Sequence, residues 1–335
     1  MASLTSEHAS AAQRVLVIFP GALGDFVCFG PALRVLARRH QGAALDLMSR
    51  EELARFAVDR IGTAPTEVAS TDSPPRSKTY PQAYSIDRRE VASLFAEDAD
   101  LTEAVNFFRP FTRIYSFFAS DDARFRRALE KAAAPGAVSF HAFRPQSPGH
   151  VAEGYLGDIG AHDAPLDGHI EVLAGDLAQA RHALAQLGLG NARVLLLFPG
   201  SGSVRKNWSP DNFVTLASAL RQQLRAVVVL GPAEAALEPL FIARGILRLR
   251  DQHLSTVAGL ARIAAGFVGN DSGVSHLAAA AGAPGVVIFG PTDPERWCPL
   301  GRVKIIRGLP LSHVTPAAVA AALKQVIGTE MALRL

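Results

Sequence analysis

The sequence has little cysteine: Cys28 and Cys298 are its two cysteines among 335 residues. Two cysteines provide neither a disulfide framework nor a Cys-based zinc site, and they fit a reducing compartment. The first residues, MASLTSEHASAAQ, lack both the basic start and the apolar stretch of a secretory signal. We therefore expect a cytoplasmic protein.

Long apolar runs are also missing. The longest, residues 277–290, is interrupted by Gly282, Pro284 and Gly285, whereas a membrane-spanning helix needs about 18–20 uninterrupted residues. Apolar residues still make up 49% of the chain and charged residues 19%, which predicts packed cores and not disorder. Because single cores stop growing at about 250–300 residues, this length predicts two domains.

Three common catalytic or nucleotide-binding signatures are absent. The sequence contains no GxGxxG dinucleotide fingerprint, no GxxxxGK[ST] P-loop and no GxSxG nucleophile elbow, which disfavours Rossmann-type cofactor binding, ATP hydrolysis and a serine hydrolase. The net charge of +3 divides into −3 over residues 1–170 and +6 over residues 171–335. A basic second half suits a small anionic ligand such as a nucleotide, and we expect no nucleic acid partner.

Short apolar runs ending at Pro-Gly or Gly-Pro recur along the chain and are typical of buried parallel strands. Helical patterns at 26–40, 210–224 and 274–281 lie between such strands, which are predicted at 14–19, 44–48, 193–198, 226–230, 266–269 and 285–289. This alternation predicts two α/β domains with parallel sheets, which bind ligands at the carboxyl ends of their strands.

The segment from 51 to 149 is less informative. A Pro/Ser/Thr-rich stretch at 63–85 predicts loops, and residues 94–109 and 121–134 look helical. Arg124, Arg126, Arg127 and Lys131 could contact anionic lipid, although a solvated helix face is the better reading. The DxD at Asp98 and Asp100 is read as an acidic solvated face, and no residue set has convincing metal-ligand spacing.

Three loops carry candidate chemistry. Asp25, in the GALGD sequence between a strand and a helix, is either a helix cap or a catalytic carboxylate. Residues 199–208, PGSGSVRKNW, expose amides and hydroxyls with Lys206 close behind, so they form either an anion site or a solvated turn. Residues 270–276, NDSGVSH, open a helix whose amino end favours a phosphate, and Asp271 is either part of that site or the helix cap.

Three stretches resemble glycosyltransferase family 9, the lipopolysaccharide heptosyltransferase family. They are VLVIFPGALGDFVCFGPALRVLARR, LLLFPGSGSVRKNWSPDNFVTLASAL and FVGNDSGVSHLAAAAGAPGVVIFGPTDPERWCPLG. A shorter stretch, HVAEGYL at 150–156, is similar to the segment that closes the family's N-terminal domain. The resemblance implies the GT-B fold, with two facing Rossmann-like domains and a cleft between them. We expect an acceptor-side domain at 1–175, a nucleotide-sugar domain at 176–313, and a C-terminal helix at about 314–328 packed back on the first.

The resemblance also implies roles for individual residues. Asp25 matches the general base. The donor-binding positions are Ser201, Gly202, Lys206, Glu234, Asp271, Ser272, Gly273 and His276. The implied reaction moves a sugar, typically heptose from ADP-heptose, to a glycolipid or other cell-envelope glycan with inversion, and needs neither a metal nor a cofactor. A glycolipid acceptor also implies peripheral contact with the inner membrane.

The acceptor stays open, because residues 51–149 match no family motif. Two other functions also remain open on the residues alone: a sugar-nucleotide epimerase of the same architecture, and a nucleotide-sugar-binding module without turnover.

Overall fold

The computed structural model of the chain describes residues 13–61, 80–97 and 100–333. Its contacts divide into two compact units. The first takes its described residues from Met1–Pro20 and Leu36–Phe143, and the second takes them from Gly21–Val35 and Arg144–Leu335.

The described part of the first unit holds a parallel sheet of five strands. They are β1 (Arg14–Ile18), β2 (Ala44–Ser49), β3 (Ala83–Ser85), β4 (Arg113–Ser116) and β5 (Val138–Phe140), in the spatial order β3-β2-β1-β4-β5. Val17 of the central strand pairs with Leu47 on one side and Tyr115 on the other. β1 is almost wholly buried, as a strand covered on both faces requires.

Helices connect these strands. They are α1 (Leu23–Arg39), α2 (Glu51–Ile61), α3 (Arg89–Ala92), α4 (Thr102–Phe108) and α5 (Ala123–Ala132). α1 ends with Arg38 and Arg39 in its last turn, where positive charge complements the helix dipole. Leu16 and Ile18 of β1 form a buried core with Phe108 and Phe125 of the helices.

The described part of the second unit holds a parallel sheet of six strands. They are β6 (Val194–Phe198), β7 (Arg225–Leu230), β8 (Leu247–Arg250), β9 (Gly266–Asn270), β10 (Gly285–Phe289) and β11 (Val303–Arg307), in the spatial order β11-β10-β9-β6-β7-β8. Its helices are α6 (Val151–Asp158), α7 (Ala174–Gln186), α8 (Pro210–Leu220), α9 (Glu238–Ala243), α10 (Leu254–Ile263), α11 (Gly273–Ala280), α12 (Pro294–Trp297) and α13 (Pro316–Leu333). Short 3-10 helices lie at Val204–Lys206, Pro232–Leu237 and Leu311–His313.

The core of the second unit is centred on Trp208, which is fully buried. Its ring packs edge-on against Phe213 at 5.0 Å between centroids, and its Nε1 donates to the carbonyl oxygen of Val314 at 2.8 Å. A buried indole is favourable when its N–H is satisfied in this way.

The C-terminal helix, α13, packs against α8 and the second sheet. Its expected packing on the first domain stays a prediction. Val319, Leu323 and Val326 are buried in the second core, and their spacing forms one apolar stripe along a helix. The helix therefore completes the core of the second sheet.

The segment 94–109 is not one helix. Ala96 has an extended backbone, with φ −82° and ψ 142°, so the chain forms a 3-10 helix at Ser93–Phe95 and then α4. Asp100 accepts a hydrogen bond from the Thr102 backbone N–H at 2.9 Å, just before α4 begins. Asp98 and residues 62–79 lie outside the described residues.

The predicted domain boundary at 175/176 falls between the two sheets, because β5 ends at Phe140 and β6 begins at Val194. By its contacts, the chain from Arg144 onward belongs to the second unit. The boundary at 175/176 stays a prediction. Among the described helices, none is long and apolar enough to cross a membrane.

Candidate functional site

Two of the candidate loops follow neighbouring strands. β6 pairs with β9, with Phe198 opposite Gly269, and the order of strands reverses between them because β7 continues on the far side of β6. Loops diverge at such a switch point and leave a crevice at the carboxyl ends of the strands. Residues 199–208 and 270–276 therefore meet at this edge of the second sheet.

Asn270 ties these loops together. Its side-chain amide donates to the carbonyl oxygen of Pro199 at 2.7 Å, and its Oδ1 accepts from the backbone N–H of Trp208 at 2.9 Å. Asn270 is fully buried, and a buried amide satisfied on both ends fixes the relative position of the segments it joins. In the sequence analysis, Asn270 is only the first residue of the candidate loop 270–276 and has no role of its own.

Lys206 and Asp271 form an ion pair across the same edge. The Lys206 Nζ lies 2.7 Å from the Asp271 Oδ2, and the carboxylate is almost buried whereas the lysine side chain is one-third exposed. Because the ammonium carries three N–H groups, one contact with Asp271 leaves donors for a second anion.

The amino end of α11 lies beside this pair. The Ser272 side chain makes no cap hydrogen bond to the helix; its Oγ lies 3.2 Å from the Oγ of Ser275, which donates to the Asn270 carbonyl. The first amides of a helix have no acceptor inside the helix, and the first turn of α11 has no acidic residue. This end of the helix therefore favours an anion.

Ser201 and Gly202 lie on the loop after β6. The Ser201 Oγ is 2.8 Å from the Ser203 carbonyl oxygen and 2.6 Å from the Asn207 Oδ1, and it accepts from the Ser203 N–H at 3.2 Å. The hydroxyl thus holds the shape of the loop. A β-carbon at Gly202 would have no neighbour among the described residues within 4 Å, so this part of the loop is open.

Glu234 lies against the same loop. Its Oε2 accepts from the Gly231 N–H at 3.0 Å, and its carboxylate occupies the place where a β-carbon on Gly200 would project. A glycine at 200 is required for this close approach. The structure therefore brings Glu234 to the edge of the loop that carries Ser201 and Gly202.

His276 lies one turn into α11 and is almost wholly buried, with 3% of its surface exposed. Its Nδ1 is 3.5 Å from the Sγ of Cys28 on α1. Burial lowers the pKa of His276 to about 4, with Asp271 opposing that shift. Burial also raises the pKa of Cys28, with Asp25 adding to the effect. Both groups are therefore uncharged at neutral pH.

Asp25 lies in the first turn of α1 and is 7% exposed. Its Oδ2 accepts from the Ala22 backbone N–H at 3.3 Å. Arg144 donates to both oxygens, from Nε to Oδ1 at 3.2 Å and from Nη2 to Oδ2 at 3.1 Å. Asp25 is therefore both a local cap and one half of a two-point ion pair.

The start of α1 lies directly on the start of α11. A β-carbon on Gly24 would lie 3.5 Å from both the Gly273 Cα and the His276 Cδ2. A β-carbon on Gly273 would lie only 2.8 Å from the Leu23 Cβ. The two glycines thus allow a backbone contact that places Asp25 next to the anion-favouring end of α11.

Sequence reasoning missed Arg144 and Cys28. Arg144 lies within the segment 51–149, to which we assigned no site, and it is 119 residues from its partner Asp25. Cys28 entered the sequence argument only as one of two cysteines. Its position three residues after Asp25 puts it about one helical turn further along α1. This spacing is the sequence signal that could have identified Cys28 as a neighbour of Asp25.

A sequence model of glycosyltransferase family 9 (heptosyltransferase) matches residues 151–324, just over half of the chain. Lipopolysaccharide heptosyltransferase 1 from Escherichia coli O18:K1:H7 is 27% identical over 152 residues. That alignment covers 43% of this chain and 47% of the relative, so it spans about half the length of the curated protein.

Solved structures match nearly the whole chain. A family 9 glycosyltransferase from Veillonella parvula superposes with a TM-score of 0.73 at 17% identity, covering 95% of this chain and 97% of that one. E. coli ADP-heptose lps heptosyltransferase II gives 0.69 at 19% identity, with 95% and 100% covered. E. coli heptosyltransferase WaaC with ADP gives 0.64 at 18% identity, with 94% and 100% covered. These matches confirm the predicted α/β class and the GT-B fold.

Proposed function

Because this chain belongs to glycosyltransferase family 9, we propose that it transfers a heptose from ADP-heptose to a hydroxyl of a lipopolysaccharide-core or other cell-envelope glycan, with inversion at the anomeric carbon. The WaaC structures of E. coli hold ADP or ADP-2-deoxy-2-fluoro heptose, which supports this donor. The protein would act in the cytoplasm, where a glycolipid acceptor would bring it to the inner membrane.

The donor diphosphate would bind at the edge where β6 and β9 end. Lys206 supplies a cation there, and the open amides at the amino end of α11 supply N–H donors and the positive end of a helix dipole. As the bond from the sugar to the diphosphate breaks, negative charge develops on the leaving oxygen, and these groups would stabilise it. Ser201, Gly202 and Glu234 would line the nucleotide side of the site.

Asp25 would act as the general base. It would take the proton of the acceptor hydroxyl as the oxygen attacks the anomeric carbon on the face opposite the diphosphate. One displacement produces one inversion. The observation that carries this assignment is the contact of Gly24 with Gly273, because it sets the carboxylate of Asp25 beside the amides that would hold the diphosphate.

The assignment is tested with Asp25→Asn, which keeps the shape of the side chain and removes its basicity. Purified protein is given ADP-heptose and lipopolysaccharide-core acceptor, and both ADP release and heptose incorporation are followed. Loss of a general base costs about 10²–10⁴-fold in rate, so kcat should fall by at least about 10²-fold, whereas the Kd for ADP measured by calorimetry should not change. Wild-type turnover in Asp25→Asn would exclude Asp25 as the base.

A reaction without acceptor separates the other functions. An epimerase would convert the heptose of ADP-heptose when no acceptor is present, and a binding module would bind ADP-heptose and release no ADP with any acceptor. Either result would overturn the proposed transfer.

A further inference from the structure

The carboxylate of Asp25 is held at both of its oxygens. Oδ2 accepts from the Ala22 N–H and from Arg144 Nη2, and Oδ1 accepts from Arg144 Nε. The same Nη2 also lies 3.1 Å from Oδ1, so the guanidinium spans the carboxylate. A two-point contact of this kind fixes the orientation of the carboxylate.

Arg144 is itself held by α12. Its guanidinium carbon lies 5.6 Å from the centre of the Trp297 ring, within the range of a cation–π contact. The neighbouring Arg296 donates to the carbonyl oxygens of Ser147 at 2.8 Å and Gly149 at 3.3 Å, and also to that of Pro145. These bonds fasten the segment that follows Arg144.

The other side of this segment packs against α6. A β-carbon at Gly154 would lie 2.6 Å from the Ser147 Oγ and 2.8 Å from the Pro145 Cβ, so the segment lies directly on the helix backbone. Residues 145–149 are thus fixed from α6 and α12, and Arg144 emerges from an ordered support although half of its side chain is exposed.

We propose that Arg144 is a positioning residue for the catalytic base: it orients the Asp25 carboxylate towards the acceptor hydroxyl whose proton the carboxylate receives. This rests on the transfer reaction proposed above. In that step the acceptor O–H bond breaks, its proton goes to the Asp25 carboxylate, and the acceptor oxygen forms a bond to the anomeric carbon. The bond from that carbon to the diphosphate oxygen breaks, and its electron pair leaves with ADP. Arg144 neither gives nor takes a proton.

A fixed carboxylate matters because a misplacement of about 1 Å costs about 10²-fold in rate. Arg144→Ala should therefore lower kcat by about 10²-fold, with little change in the Kd for ADP, because Arg144 touches the base and not the anion-favouring edge. Arg144→Lys keeps the charge but loses the planar two-point fork, so its kcat should be intermediate. Arg221→Ala, which removes an exposed arginine at the end of α8, is the matched control and should retain wild-type kcat.

Chemical rescue separates positioning from a structural role. Guanidinium ion at tens of millimolar should restore part of the kcat of Arg144→Ala, while equal NaCl should not, and neither should restore Asp25→Asn. Thermal melting and the Kd for ADP show whether each variant is folded. The Arg144→Lys variant keeps the test valid if Arg144→Ala does not fold.

The outcomes distinguish the two proposals. If the wild type transfers no heptose, or if Asp25→Asn turns over normally, the proposed function fails and this inference fails with it. If Asp25→Asn is inactive but folded Arg144→Ala or Arg144→Lys keeps the wild-type kcat, only the positioning role is overturned. Folded variants with lowered kcat that guanidinium ion does not restore also overturn it.

Discussion

The contact between the starts of α1 and α11 leaves no space for one methyl group. In Gly273→Ala the new β-carbon would lie 2.8 Å from the Leu23 Cβ, 3.1 Å from the Leu23 Cγ and 3.0 Å from the Gly24 backbone nitrogen. Carbon atoms in contact prefer about 3.5–4.0 Å. The two helix ends must therefore separate by roughly 0.5–1 Å, because two of these three neighbours are a backbone atom and a Cβ, which cannot rotate away.

This displacement has a cost in stability and a larger one in rate. Overpacking costs about 1–3 kcal/mol, and at about 2–4 °C per kcal/mol for a domain of this size the Tm should fall by roughly 2–12 °C. The same movement shifts Asp25 away from the amino end of α11, so kcat should fall by about 10- to 100-fold.

The assay compares Gly273→Ala with Gly175→Ala. Gly175 also lies in the first turn of a helix, α7, and a β-carbon there would meet no described atom within 4 Å. Gly175→Ala should leave kcat unchanged and raise stability by up to about 1 kcal/mol. Thermal melts and steady-state heptose transfer give both readouts. If Gly273→Ala matches Gly175→Ala in Tm and kcat, the close approach does not position Asp25.

Lys206 and His276 give two further tests. Lys206→Ala removes the cation proposed to bind the diphosphate, so the Kd for ADP measured by calorimetry should rise about 10-fold or more, since a charged hydrogen bond contributes about 1.5–3 kcal/mol; an unchanged Kd would exclude this role. Since burial lowers the pKa of His276 from 6.5 to about 4, the unfolded state binds the extra proton between these values. Stability should be complete above pH 6.5 and fall by roughly 3 kcal/mol as the pH drops towards 4. His150, whose pKa burial also lowers, adds a loss in the same direction. His276→Gln should flatten the acid limb of a plot of Tm against pH, and an unaltered slope would contradict the assignment.

Strands that are buried on both faces were predictable from local sequence. The run GVVIF is wholly apolar and lies at β10 as predicted, with the same bounds. α8 ends at Leu220, four residues before the predicted end. Two of the three described strands within residues 51–149, β3 and β5, were missed because they have three residues each and are only partly buried, so neither gives a distinct alternating pattern.

The contacts of the candidate site also differ in how far local sequence predicts them. The pairing of Lys206 with Asp271 follows from two loops whose strands are neighbours, and both loops carry readable sequence patterns. Arg144 reaches Asp25 from a loop, and the path of a loop is set by tertiary contacts such as those of Arg296, which no local periodicity encodes.

The second unit is assembled from two separate stretches of chain, because Gly21–Val35 counts with Arg144–Leu335. A single cut at any position therefore cannot release it whole. A polypeptide that begins at residue 144 or 176 would lack the turn and helix start that carry Asp25 and Cys28, and its buried His276 would lose the thiol beside it. Dividing this protein for separate expression or for domain exchange between relatives would require a rejoined chain, in which residues 21–35 are supplied through a linker or a circular permutation.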